Sequence, residues 1–138
     1  MRVDRWLLVL AISVLTGCAT GVGDTLKQPE LLSAQQIRTL FVGNTVRSYN
    51  LSNKLTTWSY YRADGVLLQE RLWDSRTGVW QIKDNGVVCL TVTHMTCKLI
   101  GRVGDRIYKY KIDDVGQLDA IIIYRDFVTG NPLRLTGK

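Results

Sequence analysis

The fold is decided by the stretch from residue 78 to residue 90, which reads GVWQIKDNGVVCL. Within it Trp80 and Ile82 alternate with Gln81 and Lys83, so one face of an extended segment is apolar and the other polar. The Asp-Asn-Gly triplet that follows tolerates the left-handed conformations of a tight hairpin, and a second apolar run begins directly after it. The stretch therefore predicts two antiparallel strands joined by a short turn.

The same unit recurs on both sides of this stretch, with turn residues about every ten positions and no helix-length period between them. The predicted strands are Thr45 to Leu51, Thr56 to Arg62, Val66 to Trp73, Gly78 to Lys83, Val87 to Val92, Met95 to Arg102, Arg106 to Ile112 and Gln117 to Phe127. About eight short strands in succession predict a mainly β fold, built as a small antiparallel meander barrel or a strongly curved sheet.

A second clear alternation lies in the segment from residue 106 to residue 112. There Tyr108, Tyr110 and Ile112 occupy one face, and Lys109 and Lys111 occupy the other. Because aromatic and aliphatic side chains favour the interior, we expect the tyrosine face to be buried and the lysine face to be exposed.

One short helix is predicted before the strands. Ser33 is the expected N-cap, with Gln36 as its capping-box partner three residues later and Leu32 packing on Ile37 as a hydrophobic staple. The apolar stripe of this helix comprises Ala34, Ile37, Leu40 and Phe41. Gly43 is the predicted stop. We expect the helix to pack on the sheet or to plug one end of the barrel.

The N-terminus has the three parts of an export signal. Arg2 and Arg5 precede an apolar run of ten residues, from 6 to 15, which is too short to span a bilayer. Leu15-Thr16-Gly17-Cys18 closes the segment and resembles the lipobox of bacterial lipoproteins. That resemblance implies cleavage before Cys18, attachment of diacylglycerol to its sulfur and anchoring in a membrane. In such lipoproteins Ala19, in place of aspartate, favours the periplasmic face of the outer membrane over the inner membrane.

These features divide the chain into a signal peptide at 1–17, a lipidated flexible tether at 18–31 and a single β-rich domain at 32–138. The tether is predicted from Gly21, Gly23 and Pro29 among mostly polar residues.

Two cysteines remain once Cys18 is assigned to the lipid. Cys89 and Cys97 are symmetric about Thr93, so a hairpin turning there places them opposite each other, and an oxidising compartment favours a disulfide. The alternative takes Cys89, His94 and Cys97 as metal ligands. It is disfavoured because a structural zinc site needs a fourth ligand and no second cluster exists.

The charge pattern excludes a nucleic-acid face. The net charge is +6, but basic residues occur singly rather than as a stripe. The expected partners are a membrane, through the lipid, and envelope proteins, peptidoglycan or glycolipid. His94 is the only histidine and no catalytic constellation accompanies it, so a non-enzymatic structural or binding module without a cofactor is predicted.

Aromatic residues are the one enrichment with ligand-binding potential. Trp58, Trp80 and Tyr108 are candidates for lining a pocket, which would suit a lipocalin-like barrel holding an apolar ligand. The competing interpretation, which we favour, is that such residues fill the core of a small barrel.

The order of these features resembles a family of small exported proteobacterial proteins of unknown function. The matching segments are residues 33–38, 43–45, 61–65, 78–80, 88–90, Cys97, 104–108 and 130–132. The resemblance implies an exported β-rich domain with a paired cysteine, and it supplies no catalytic residue.

Overall fold

The structure is a computed structural model that describes residues 28–138. The signal segment, Cys18 and the tether up to residue 27 lie outside the described residues. The chain forms β1 (Glu30–Leu31), α1 (Ala34–Phe41), β2 (Asn44–Asn50), β3 (Thr56–Tyr61), β4 (Val66–Glu70), β5 (Ser75–Ile82), β6 (Val88–Thr91), β7 (Met95–Val103), β8 (Arg106–Ile112) and β9 (Leu118–Thr129).

The strands close into a barrel. Each strand from β2 to β9 pairs antiparallel with the next along the chain, and β9 pairs back with β2. An eight-stranded antiparallel meander barrel with one short helix results, which confirms the predicted fold class. β1 is an addition: Glu30 and Leu31, at the end of the predicted tether, pair with Arg102 and Gly101 on β7. Closure leaves no long unpaired sheet edge among the eight barrel strands.

The last strand carries the irregularities that closure requires. Ser48 and Arg47 of β2 pair with Tyr124 and Asp126, which leaves one extra residue of β9 between them. A second shift occurs against β8, where Tyr110 pairs with Ala120 and Lys109 with Ile122. Such bulges bend a strand and increase its twist, so the twelve-residue β9 can follow both of its neighbours around the barrel.

The helix plugs one end of the barrel. Ser33 accepts a hydrogen bond from the Gln36 amide, and the Gln36 side chain accepts one from the Ser33 amide, so the predicted capping box is confirmed. Ile37 and Phe41 are fully buried. The helix stops where predicted, because Gly43 adopts a φ of +72°, which favours glycine.

Phe41 anchors the plug to the barrel wall. Its ring makes edge-to-face contacts with Tyr61, Tyr124 and Phe127, with centroids 5.0, 5.0 and 5.4 Å away. This aromatic cluster forms the core at the end of the barrel that we call the helix end. The opposite end, which we call the distal end, carries the connections at 51–55, 71–74, 92–94 and 113–117.

The β4–β5 hairpin differs from its predicted boundaries. The sequence predicts a strand to Trp73 and a turn from 74 to 78, whereas Glu70 pairs with Ser75 and the connection comprises residues 71–74. Leu72 and Trp73 are therefore loop residues, 89% and 74% exposed. Register set by the paired strands overrides the local β-propensity of the Leu-Trp pair.

The burial of β8 follows the prediction only in part: Tyr110 is buried and Lys111 is exposed as predicted, whereas Lys109 is buried and Ile112 is exposed. Ile107 belongs to the core and Lys109 is buried in the interior, while Tyr108 and Tyr110 lie on the outer face. Ile112 is 61% exposed. Tyr110 is nonetheless buried, because its ring lies against Gly101, on a part of the outer face that β1 covers; a Cβ on that glycine would come within 2.9 Å of the ring.

The predicted disulfide is confirmed. Cys89 and Cys97 are directly opposite each other in the β6–β7 hairpin, with a Cα–Cα distance of 4.1 Å and a bond between their sulfurs. The bond closes a sequence separation of eight residues beside the distal end of the barrel.

Candidate functional site

A cavity of about 90 Å³ lies inside the barrel, between the aromatic core and the distal end. Its lining comes from seven strands and from the β2–β3 and β4–β5 connections: Ser48, Asn50, Asn53, Leu55, Thr57, Ser59, Tyr61, Gln69, Arg71, Arg76, Leu90, Lys109, Ile122 and Tyr124. Tyr61 and Tyr124 also contact Phe41, so their rings separate the cavity from the helix end.

The strands that build the cavity change character along their length. On the inner face of β2, Val46 at the helix end is followed by Ser48, and on β4 Leu67 is followed by Gln69. Because alternate residues of a strand share a face, each of these steps moves two residues toward the distal end. The inner surface of the barrel is therefore apolar at the helix end and polar around the cavity.

Lys109 is the most buried charged group at this site, with 7% of its surface exposed. Its Nζ lies 5.9 Å from the centre of the Tyr124 ring. Burial lowers the pKa of Lys109 to about 8, and the nearby charge of Lys98 adds to the effect. The ammonium is still mostly protonated at pH 7. None of the lining residues is acidic, so no carboxylate in the cavity wall compensates this charge.

Two arginines from the β4–β5 hairpin complete a basic cluster. Arg76 donates from Nη2 to Gln69 Oε1 at 2.9 Å, and Gln69 donates from Nε2 to Ser59 Oγ at 3.0 Å. Burial lowers the pKa of Arg76, and the neighbouring Arg71 contributes to the shift. The two guanidinium groups are therefore close enough to repel each other beside the cavity.

Each arginine keeps an unsatisfied donor. The Nε atoms of Arg71 and Arg76 are buried and have no hydrogen-bond partner within residues 28–138. Asp74 approaches Arg76 Nε to 3.7 Å, an ion-pair distance longer than a hydrogen bond. Buried donors normally have partners, so within residues 28–138 these two Nε atoms beside the cavity are left for a ligand to satisfy, while the third such atom, Arg47 Nε, lies on the outer face next to Asp126.

The two tyrosines at the base of the cavity add no negative charge. Burial raises the pKa of Tyr61 and of Tyr124 above the ordinary tyrosine value. The hydrogen bond between the two side chains raises the pKa of Tyr124 further and lowers that of Tyr61 by less than burial raises it. Both phenols therefore stay neutral at physiological pH. The wall of the cavity presents three cations and neutral hydrogen-bonding groups, a combination suited to holding a small anion.

The three aromatic residues predicted to line a pocket are not brought together. Trp80 lies in the core, where its ring is 5.6 Å from Tyr61 and its indole N–H donates to the Arg62 carbonyl at 3.0 Å. Trp58 lies on the outer face beside Arg47, and Tyr108 lies on the outer face near Tyr110. Trp80 thus has the core-filling role that the alternative interpretation gave it.

The other sequence candidates have separate positions. His94 is exposed in the β6–β7 connection. Across residues 28–138, no group of three or more His, Cys, Asp and Glu side chains is placed to hold a metal ion. The cavity residues Arg71, Arg76 and Lys109 were missed, because in the sequence they read as ordinary solvated charges.

In the part of the chain from residue 28 onward, no helix has both the length and the apolar character needed to cross a bilayer. Comparisons with protein-family models, curated proteins and solved structures found no match for this chain.

Proposed function

We propose that this chain is a lipid-anchored, non-enzymatic binding module of the bacterial cell envelope, tethered to the periplasmic face of the outer membrane. The observation that carries the binding part is the basic, polar cavity inside a closed barrel. The lipobox ending at Cys18 supports the anchor. A barrel that α1 plugs at one end and that has a cavity toward the other end is suited to enclosing one small ligand.

The size and chemistry of the cavity favour a polar ligand. Apolar ligands of the lipocalin type occupy pockets of roughly 300–1,000 Å³ lined mainly by apolar side chains. The cavity here is about 90 Å³, and only Leu55, Leu90 and Ile122 of its lining residues are apolar. The alternative of a lipocalin-like module therefore shares the barrel architecture with our proposal and differs from it in the ligand.

The partners we propose follow from the compartment. A membrane binds the acylated Cys18, and envelope proteins, peptidoglycan or glycolipid meet the barrel. Nucleic acid is not among them, because an exported chain would not ordinarily meet it. The module is proposed as non-enzymatic because no histidine or carboxylate of the usual catalytic pairs is among the residues that line the cavity.

Intact mass of the protein from fractionated bacterial membranes tests the anchor. We expect a mass that begins at residue 18 and includes acyl chains, and we expect the Cys18→Ala variant to lose them. Cys97→Ala is the matched control, since it removes a cysteine from the disulfide and should keep the lipid. A wild-type chain without acyl groups in the soluble fraction would contradict the proposal.

A further inference from the structure

We propose that the cavity binds a phosphate group, held by Arg71, Arg76 and Lys109. This inference rests on the proposed function, in which the barrel is a binding module, and it names the class of ligand. The β4–β5 hairpin and β8 bring these three cations to one chamber, with neutral donors around them.

The net charge of the cavity wall is positive. Lys109 is 93% buried, and none of the residues lining the cavity is acidic. An isolated buried cation is costly unless a counter-charge or hydrogen bonds compensate it. Asp74 pairs with Arg76 on the loop side, which leaves Arg71 and Lys109 without a carboxylate in the cavity wall. A bound anion supplies the missing negative charge.

Hydrogen-bond donors around the cavity are left free to bind a ligand. The buried Nε atoms of Arg71 and Arg76 have no partner among the described residues. Ser59 Oγ already accepts from Gln69, so its own hydroxyl hydrogen is available to a ligand. Guanidinium forks match the spacing of phosphate oxygens and bind them with two parallel hydrogen bonds. Tyr61, protonated at neutral pH, is a further neutral group in the same wall.

The volume of the cavity and the number of cations around it match a single phosphate group. About 90 Å³ holds several water molecules, which is the scale of one tetrahedral oxyanion and too small for a sugar or an acyl chain. Three cations line the site and Lys98 is near Lys109. A phosphate monoester carries close to two negative charges at pH 7, as P–O groups of this type have a second pKa near 6, and therefore balances the cluster better than a carboxylate does.

The phosphate group could belong to a free small molecule or to the headgroup of an envelope lipid. The chemistry recognised is the same for both sources, because a cavity of about 90 Å³ has room for the phosphate group and not for the rest of the molecule. The two sources are separated by the probes used in the experiment.

The test uses the full-length protein purified in nonionic detergent at pH 7, in phosphate-free buffer of constant ionic strength. Calorimetric titration with inorganic phosphate and with glycerol phosphate probes the free forms. Micelles doped with phosphatidic acid, against phosphatidylcholine, probe the lipid form. We expect saturable one-to-one binding of at least one of these phosphates, and no saturable binding of chloride.

Variants assign the binding to the cavity. Lys109→Met replaces the aliphatic part of the side chain and removes the ammonium, and it should weaken phosphate binding about thirtyfold or more, the usual loss when one member of a buried charge pair is removed. Arg76→Gln should weaken it as well. Lys111→Met, two residues along the same strand and exposed, is the matched control and should bind like wild type.

Absence of saturable binding to every phosphate probe would overturn the inference, as would equal binding by wild type and by correctly folded Lys109→Met. Circular dichroism of the variants checks folding. Failure here is distinct from failure of the anchor: an acylated protein that binds no phosphate keeps its membrane assignment and loses this ligand. A non-acylated protein that binds phosphate keeps this ligand and loses its membrane assignment.

Discussion

The buried lysine makes a quantitative prediction about stability and pH. In the folded protein the pKa of Lys109 is lowered from 10.5 to about 8. A shift of this size corresponds to about 3 kcal/mol of preference for the neutral amine in the folded state. The unfolded chain binds the proton more tightly than the folded one, so the free energy of unfolding rises with pH between the two pKa values.

The two pKa values determine the direction in which the free energy of unfolding changes and the pH range over which it changes. Below pH 8 both states carry the proton and the folded protein bears the full cost of the buried charge. From pH 8 to 10.5 the folded state releases the proton first, and the cost is relieved. Linkage gives a rise of about 2 kcal/mol between pH 7 and 9.5 from this group. Above that range ionisation of tyrosines in the unfolded chain opposes the rise, because burial raises the pKa of Tyr61 and Tyr124.

The charged and titratable groups around Lys109 do not titrate between pH 7 and 9.5, so the change in stability over this pH range can be assigned to Lys109. Lys98 on β7 and the two arginines of the β4–β5 hairpin are cations; burial lowers the pKa of Arg76, but a guanidinium stays protonated throughout this pH range. The phenols of Tyr61 and Tyr124 stay protonated throughout it. Lys109 is therefore the group in the cavity expected to titrate between pH 7 and 9.5.

Urea unfolding at half-unit intervals from pH 7 to 9.5, in phosphate-free buffer, measures the slope. Wild type and Lys111→Met should both become more stable toward pH 9.5. Lys109→Met should be more stable than wild type at pH 7, and its free energy of unfolding should lack this rise. A flat wild-type profile, or an equal slope in Lys109→Met, would refute the assignment of an uncompensated buried charge.

Three further predictions concern the framework of the barrel, each measured by urea unfolding. Reducing the Cys89–Cys97 bond, which closes eight residues, should lower the free energy of unfolding by about 2.5 kcal/mol and raise the intact mass by about two daltons; an unchanged midpoint would contradict a structural role. Phe41→Ala removes three edge-to-face contacts from the fully buried plug and should cost about 3–5 kcal/mol, more than Phe127→Ala at a partly exposed position. Ser33→Ala removes the capping box and should cost about 1 kcal/mol; a neutral result would mean that the cap adds nothing to the docked helix.

Much of the fold could be predicted because its signals are local. Turn triplets and alternating residues specify hairpins, and a hairpin fixes the pairing of its own two strands. The β6–β7 hairpin is the clearest case, since its turn and its cysteine spacing agree on one register. The helix was equally accessible, because Ser33 and Gln36 form its cap within four residues.

The faces of the strands and the site were harder to predict, because they depend on distant contacts. β8 has lysines on one face and tyrosines on the other, and hydrophobicity alone favours the tyrosines for the interior. In the structure β1 covers Tyr110 from outside, while a polar chamber accepts Lys109. Arg71 and Arg76 reach that chamber from the two sides of a loop whose boundaries were also misplaced. The β4–β5 hairpin and β8, which are distant in sequence, must be assembled before these residues meet.

The pairing of β2 with β9, which closes the barrel and which we call the seam, has a consequence for the synthesis of the protein. β2 is the first barrel strand to be synthesised and its neighbour β9 is the last, with Asn44 paired to Thr129, 85 residues later. At about 5–20 residues per second, ribosomal synthesis leaves the free edge of β2 waiting roughly 4–17 seconds for its partner. The inner hairpins can form during that interval, whereas the seam cannot. Until β9 has been made, the free edge of β2 is open to pairing with another molecule, so intermolecular pairing competes with closure of the barrel during synthesis.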